Sequence, residues 1–560
     1  MIGIPFSLRE KISEIRENCK KHPFITIIIP LLIFLLALIP RIIDLGTGVT
    51  IDEKLWIGRA LLFIHAISQG DFIHTYLAIH PGVTTMWLSG LFMATFSRPG
   101  MDFPQVLSIA RFPIALFTSL GILLMYFLLK DLFHEKIAIL ASVLIALDPF
   151  YLAHSRFIHV DALLTTFMTL SLLAFLLYIR KPDRKFFLII SGGFLGLALL
   201  TKQPAECLIP FFIVSLIILY LINSYQGTHS LKKTVTGCFS AAFFTRIIKP
   251  FFIILCVAGL LFVLLWPAMW VAPVSTAQNL VYGLENVVKE PHVINVYFLG
   301  QVVPTGNLGP LFYPVVTLMK VTPLTLIFSV VCLVFVFCTF RNTKLSALNL
   351  TIVLFVLFIL FFYVLMTIGD KKNEEYILPV FPVIDILAAI GICFCSSFIT
   401  ARLGKISKKL LAVTFEPWKN RFFGMAIILI IILQSALLVP ITPYFLSYSN
   451  PIVLGGPQYS QEYIPIGWGE GLDLAATYLN NKTGAEHLRV FEQYPGFREY
   501  SKEISAGAHP DSADYIVFYI HNIQLNNNNY GWDLYKNKTP EKIIVINNIE
   551  YCWIYSTHPQ

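Results

Sequence analysis

His80-Pro81-Gly82-Val83-Thr84-Thr85-Met86-Trp87-Leu88-Ser89-Gly90-Leu91-Phe92-Met93-Ala94-Thr95-Phe96 is the stretch on which the threading of this chain turns. It is apolar enough to be read as a membrane span. Counted as one, it inverts the side of every loop that follows. The choice therefore has to come from the rest of the sequence.

That sequence is 560 residues long, 56% hydrophobic and only 13% charged, with a mean hydropathy of +0.72. These values exclude a soluble globular protein and indicate a polytopic helical membrane protein. Apolar runs long enough to span lie at 24–43, 106–129, 136–150, 160–179, 186–201, 207–222, 250–267, 323–340, 347–368, 377–398 and 423–440. They make about 11 transmembrane helices, which put the two termini on opposite sides. The basic N-terminus 1–23 carries Arg9, Lys11, Arg16, Lys20 and Lys21, and no small-residue cleavage site follows the first run, so it reads as an uncleaved anchor. With that end inside, Arg180-Lys181-Pro182-Asp183-Arg184-Lys185, Lys232-Lys233 and the run from Arg402 to Arg421 are inside too. Positive-inside bias thus supports N-in and C-out. A span at 80–96 would put those basic loops outside. We therefore read 44–105 as a long outer loop carrying interfacial helices.

Three regions result: the cytoplasmic tail 1–23, a transmembrane catalytic domain 24–440 with outer loops 44–105 and 268–322, and an extracytoplasmic domain 441–560. The last region changes character at Gly467-Trp468-Gly469-Glu470-Gly471. Helix-like 472–480 and strand-like 487–491, 514–520, 542–547 and 550–555 predict a small α/β domain, with Asn526 to Asn529 as a polar tip. The nine cysteines form no metal-ligand spacing, and no disulfide framework is expected. A net charge of +8 spread over short loops argues against nucleic acid as a partner.

In this topology the outer face collects Asp52, Glu53, Arg59, His80, Arg111, Arg156, His159, Asp161, Lys202, Lys320, Lys371 and Lys372. Several have ordinary readings. Asp52-Glu53 is either a solvated loop pair or a functional one. Asp161 either caps its helix or faces the cavity that Asp52 faces. Arg111 either snorkels or meets an anion at membrane depth. Lys202 is an interfacial anchor or a cation of the site, and His80 before Pro81 is at least a helix-start residue. Carboxylates and cations on one face suit one kind of reaction. A carboxylate takes the proton of an attacking hydroxyl, and cations receive a departing phosphate.

Arg41 followed by Asp52-Glu53, Trp56 and Arg59 resembles the first outer loop of the protein O-mannosyltransferase and aminoarabinose-transferase group of membrane glycosyltransferases, which have the GT-C fold. Leu147-Asp148-Pro149-Phe150 with Arg156 and His159-Val160-Asp161 is similar to that group's second outer loop. Leu200-Thr201-Lys202, Gly309-Pro310 with Tyr313-Pro314, Tyr376-Ile377-Leu378-Pro379 and Pro443-Tyr444-Phe445-Leu446 extend the resemblance to about residue 480.

The resemblance implies an inverting transfer of a mannose-like sugar from a polyprenyl-phosphate donor at the outer face of a prokaryotic plasma membrane. No metal or cofactor is required by it. Asp52 would be the base, Glu53 its acidic partner and Asp161 a second-loop carboxylate that places donor or acceptor. Arg111, Arg156, Lys202, Lys371 and Lys372 would hold the donor phosphate, while Trp56, Arg59 and His80 would position sugar or acceptor. The acceptor is either a protein Ser or Thr hydroxyl or a glycolipid such as lipid A. A reading outside the enzyme class is a transporter, but the acids cluster at span ends on one side and no internal repeat is visible. The chain departs from the family at His80-Pro81-Gly82, where a second proline or a lysine is usual, and at Glu375-Tyr376, where an arginine precedes the tyrosine.

Overall fold

Runs of Leu, Ile, Phe and Val with few breakers fold into helices that bury their backbone polar groups within themselves, as a bilayer demands. The computed structural model describes residues 23–228, 240–289, 295–340, 346–411, 419–507, 510–525 and 531–557. The tail residues before 23, Lys232-Lys233 and Asn526 to Asn529 lie outside them.

The first half is an ordered series of helices: α1 (Pro23–Ile42), α2 (Glu53–Ser68), α3 (Val83–Phe96), α4 (Phe103–Leu132), α5 (Glu135–Ala146), α6 (Pro149–His154), α7 (Asp161–Arg180) and α8 (Phe186–Thr201). Among the described residues, seven helices are long and apolar enough to cross a membrane. The bent pair Phe312–Lys320 and Pro323–Cys338, with 117° between its halves, would make an eighth. Of the other expected spans, 24–43 and 186–201 fall on short apolar helices. Expected span 136–150 divides into α5 and α6, because Asp148 ends one helix and caps the next by accepting from Tyr151 N at 2.7 Å. The chain is thus a polytopic helical membrane protein.

The stretch 80–96 becomes α3, a helix of 14 residues, about 21 Å long at 1.5 Å per residue and too short for a hydrocarbon core of about 30 Å. It packs against other helices. Ser89 Oγ donates to Ala110 O on α4 at 2.8 Å, Thr84 Oγ1 meets Thr201 Oγ1 at 2.7 Å, and Trp87 Nε1 donates to Leu265 O at 2.7 Å. These bonds tie α3 to three other helices.

The C-terminal region forms a five-stranded sheet of β3 (Arg489–Glu492), β4 (Ile504–Ser505), β5 (Tyr515–Tyr519), β6 (Lys542–Ile546) and β7 (Ile549–Ser556), in the order β4-β3-β5-β7-β6; β1 (Asn295–Phe298) and β2 (Gln301–Pro304) form a separate hairpin. β3 is parallel to β4 and β5, and β7 is antiparallel to β5 and β6. The helix Leu472–Asn480 precedes the sheet. Its strands follow the sequence expectation closely, and β4 is an addition to it.

Candidate functional site

The C-terminal domain sits directly on the loop that precedes α2. Gly469, at φ +127, brings its Cα so close to that loop that a Cβ would lie 2.1 Å from Val49 O, so only glycine fits there. Tyr500 Oη donates to Gly46 O at 3.0 Å, and Lys54 pairs with Glu499. The loop is thereby fixed from above.

Arginines fix it from below. Arg111 donates through Nε to Glu53 Oε1 at 2.7 Å and through Nη2 to Glu53 Oε2 at 2.5 Å. Its other N–H groups reach Leu45 O and Thr47 O at 2.7 Å and Gly48 O at 2.8 Å. Five donors therefore meet five acceptors, and the guanidinium is fully buried. Glu53 in turn accepts from Thr50 N and Ile158 N, both at 2.9 Å. Arg156 donates to Pro40 O, Ile43 O and Asp44 O. Lys372 donates to Gly369 O at 2.7 Å and reaches Thr305 O at 3.5 Å. Three of the expected phosphate ligands, Arg111, Arg156 and Lys372, thus hold backbone carbonyls in this structure. Glu53 faces the interior, with both carboxylate oxygens committed to Arg111 and to backbone N–H groups. The reason is burial: a carboxylate without water needs paired charge and hydrogen bonds.

Asp52 behaves differently from its neighbour. It stands at the N-cap position of α2 but makes no side-chain cap hydrogen bond, and its side chain is 44% exposed. Successive helical residues diverge by about 100°, so Asp52 points outward while Glu53 points in. Asp161 is not a cap either, because Val160 holds that position. Its Oδ1 and Oδ2 accept from Lys202 Nζ at 2.8 and 3.0 Å, and its Oδ2 lies 2.7 Å from His159 Nδ1. The other ring nitrogen, Nε2, is 3.8 Å from Asp52 Oδ2. Burial opposes the imidazolium of His159, but contact with Asp161 outweighs it and raises the pKa above the ordinary value. His159 therefore bridges the two expected carboxylates.

Around this core the remaining expected residues gather unevenly. Trp56 is buried, edge-on to His159 with 6.2 Å between ring centroids, and Arg59 lies over its ring at 4.9 Å. His80 Nδ1 meets Gln203 Oε1 at 2.7 Å, while Gln203 Nε2 donates to Ile79 O at 2.6 Å. The amide orientation makes Nδ1 the donor and leaves Nε2 as an acceptor. Burial, then the charge of Lys202, lowers the His80 pKa to about 4, so the ring is neutral at pH 7. Lys202 also sits over the Tyr376 ring at 4.3 Å. Arg59 and Lys371 have no hydrogen-bond partner among the described residues, and Lys371 feels the charges of Lys202, Glu375, Asp52 and Asp161. These are the cations with donors to spare.

A cavity of about 320 Å³ opens on Asp52. Its walls carry His154, Lys320, Glu374 and Glu375 from the helical part. The C-terminal domain adds Trp468, Glu470, Tyr494 and His521. Trp468 packs against His154, Phe157 and His159 at centroid distances of 5.7, 5.8 and 5.3 Å. Neither His154 nor Trp468 was reached from the sequence as a site residue; the only signal was the Gly467-Trp468-Gly469 run, which marked a domain start. Among the described residues, no group of three or more His, Cys, Asp or Glu is arranged to hold a metal ion.

Comparison with known proteins gives one sequence match. Residues 80–254 fit the family model described as dolichyl-phosphate-mannose-protein mannosyltransferase, a segment that contains Arg111, His159, Asp161 and Lys202. No curated protein matches the sequence. Among solved structures, ArnT from Cupriavidus metallidurans bound to undecaprenyl phosphate is 14% identical, covering 95% of this chain and 98% of its own, at a TM-score of 0.46. AglB from Archaeoglobus fulgidus, in complex with an inhibitory peptide and a dolichol-phosphate, is 12% identical over 90% of this chain and 70% of its own, at 0.49. The S. cerevisiae Pmt1-Pmt2 complex bound to the sugar donor is 18% identical over 49% and 38%, at 0.34.

Proposed function

We propose that this chain, a membrane transferase carrying the protein O-mannosyltransferase pattern over residues 80–254, moves a mannose-like sugar from a polyprenyl-phosphate donor to an acceptor hydroxyl at the outer face of a prokaryotic plasma membrane. The observation that carries this reading is the position of Asp52. Its carboxylate is uncommitted to capping, borders the cavity and neighbours the cations grouped near Asp161.

The acceptor oxygen attacks the anomeric carbon of the donor sugar and gives its proton to Asp52. The bond from that carbon to the phosphate oxygen breaks, and the electron pair leaves with polyprenyl phosphate. Attack opposite the leaving group inverts the anomeric configuration. Arg59 and Lys371 receive the phosphate, with Lys202 contributing charge while it holds Asp161. Asp161 acts as a positioning residue: it orients His159 so that Nε2 faces Asp52. Glu53, Arg111, Arg156 and Lys372 act through the backbone they hold, and Trp56 and His80 shape the wall. Protein cations thus neutralise the leaving group, and transfer is expected to continue in EDTA.

The test incubates the purified full-length protein, reconstituted in lipid, with labelled polyprenyl-phosphate sugars and a mixed acceptor pool. Mass spectrometry then identifies any labelled product. Release of sugar from the lipid carrier with an inverted glycosidic bond supports the reading. A carrier left intact with every sugar tried, or a strict need for a divalent ion, contradicts it.

A further inference from the structure

The cavity beside Asp52 contains a polar group that no described residue satisfies. His154 is only 2% exposed and lines the cavity. Neither of its ring nitrogens has a hydrogen-bond partner among the described residues. A buried, unpaired polar group costs about 1–3 kcal/mol. Such a cost in a cavity wall points to a ligand that supplies the missing bonds. Burial lowers the His154 pKa to about 3, so the ring is neutral and offers one donor and one acceptor. A hydroxyl group, itself donor and acceptor, is the natural complement.

Charge narrows the class further. Asp52, Glu374, Glu375 and Glu470 line the cavity, against one lysine, Lys320. That lysine already donates to Leu446 O at 3.1 Å and lies 3.9 Å from Glu374 Oε2. Arg59, Lys202 and Lys371 do not line it. An anionic ligand would meet the charge of Asp52 and three acids whose pKa burial raises, Glu374 to about 7, with no free cation beside it, at a cost that rises in a partly desolvated site. The volume of about 320 Å³ lies at the small end of ligand pockets. Between the polar groups stand aromatic faces, with Trp468 clamped against His154, Phe157 and His159. Flat apolar faces alternating with hydroxyl-binding groups match a sugar ring, which has a C–H face and a hydroxyl rim.

We infer that this cavity is the acceptor site, and that its occupant is a neutral carbohydrate recognised by His154 and by the Trp468 wall that the C-terminal domain supplies. The inference rests on the transfer reaction proposed above. In that step a hydroxyl of the bound sugar gives its proton to Asp52 and forms the new bond to the donor's anomeric carbon, and the lipid phosphate leaves with the bonding pair.

The experiment uses full-length protein in lipid vesicles with labelled polyprenyl-phosphate mannose and three acceptors: methyl mannoside, methyl mannoside 6-phosphate, and a Ser/Thr-containing peptide. We expect transfer to methyl mannoside with a KM about tenfold or more below that of either competitor. The variant His154→Ala should raise the methyl mannoside KM about tenfold, and His154→Gln, which keeps a donor and an acceptor, should recover part of it. Preference for the phosphate or the peptide overturns the inference, as does an unchanged KM in His154→Ala. Release of label from the donor, to water or to any acceptor, reads the parent reaction separately. Its presence with the wrong acceptor preference overturns this inference alone, and its absence overturns both.

Discussion

Glu53 and Arg111 form a closed pair: both carboxylate oxygens meet the guanidinium, at 2.7 and 2.5 Å, and neither side chain reaches solvent. The pair joins the start of α2 to α4, and through Ile158 N to the loop before α7. Adjacent acids in the sequence thus have opposite fates. Glu53 builds the platform on which Asp52 stands.

That difference predicts opposite mutant behaviour. Arg111→Met leaves Glu53 buried and unpaired, and should destabilise the protein by about 3–5 kcal/mol. The expected reading is a clear drop in melting temperature in detergent, with activity lost through unfolding. A variant as stable as the parent would show that the pair bears no weight in the fold.

Asp52→Asn should do the reverse. Its side chain caps nothing and is 44% exposed, so the melting temperature should hold. Loss of the base should lower kcat by about 10²–10⁴-fold, with donor KM little changed. Sugar transfer at near-parental kcat would remove Asp52 from the base role.

How far these roles could be read from residues alone depended on range. Asp52 stood out as a candidate because a charged pair in an apolar chain follows soon after an expected span end. The same pattern gave Glu53 equal standing, and only its partner 58 residues away on α4 separates the two. Apolar runs such as 160–179 and 347–368 returned as helices of span length because hydropathy is local. The 117° break after Lys320 was hidden because 312–320 fell inside the loop expected at 268–322, and the split of 136–150 was hidden because the apolar run continues through Leu147-Asp148-Pro149 to Phe150. Strands of the C-terminal sheet were also legible from alternation. Its docking was not: Gly469 touches Val49 through a tertiary contact with no local signature, and Trp468 enters the site only by that route.

The His80-Pro81-Gly82 turn yields a third prediction. Gly82 has φ +60, and a Cβ there would lie 2.2 Å from the Trp56 ring. Its N–H donates to Thr201 O at 3.0 Å, next to Lys202. Gly82→Ala therefore meets backbone strain of about 1–3 kcal/mol and displaces the buried Trp56. Stability should fall by at least that amount, and transfer should fall with it as Arg59 loses its ring. Gly58→Ala is the control, because a Cβ at Gly58 meets nothing within 4 Å. Equal stability of the two variants would dismiss the contact as unimportant.

Lys371 gives the pH dependence. Burial, then the positive charge of Lys202, lowers its pKa below the ordinary lysine value. The ammonium is the phosphate-binding form, so it is present below the shifted pKa and lost as pH rises through it. Donor KM should therefore climb on the alkaline side at a pH below the usual lysine range. The single negative charge of the donor phosphodiester stabilises the ammonium once bound, so the limb should appear in kcat/KM for the donor more strongly than in kcat. Lys371→Arg, whose guanidinium stays charged throughout, should move that limb to higher pH while keeping donor binding at neutral pH. Lys371→Met should raise donor KM at every pH and abolish the limb. A donor profile identical in all three proteins would assign the phosphate to other cations, with Arg59 the first to examine.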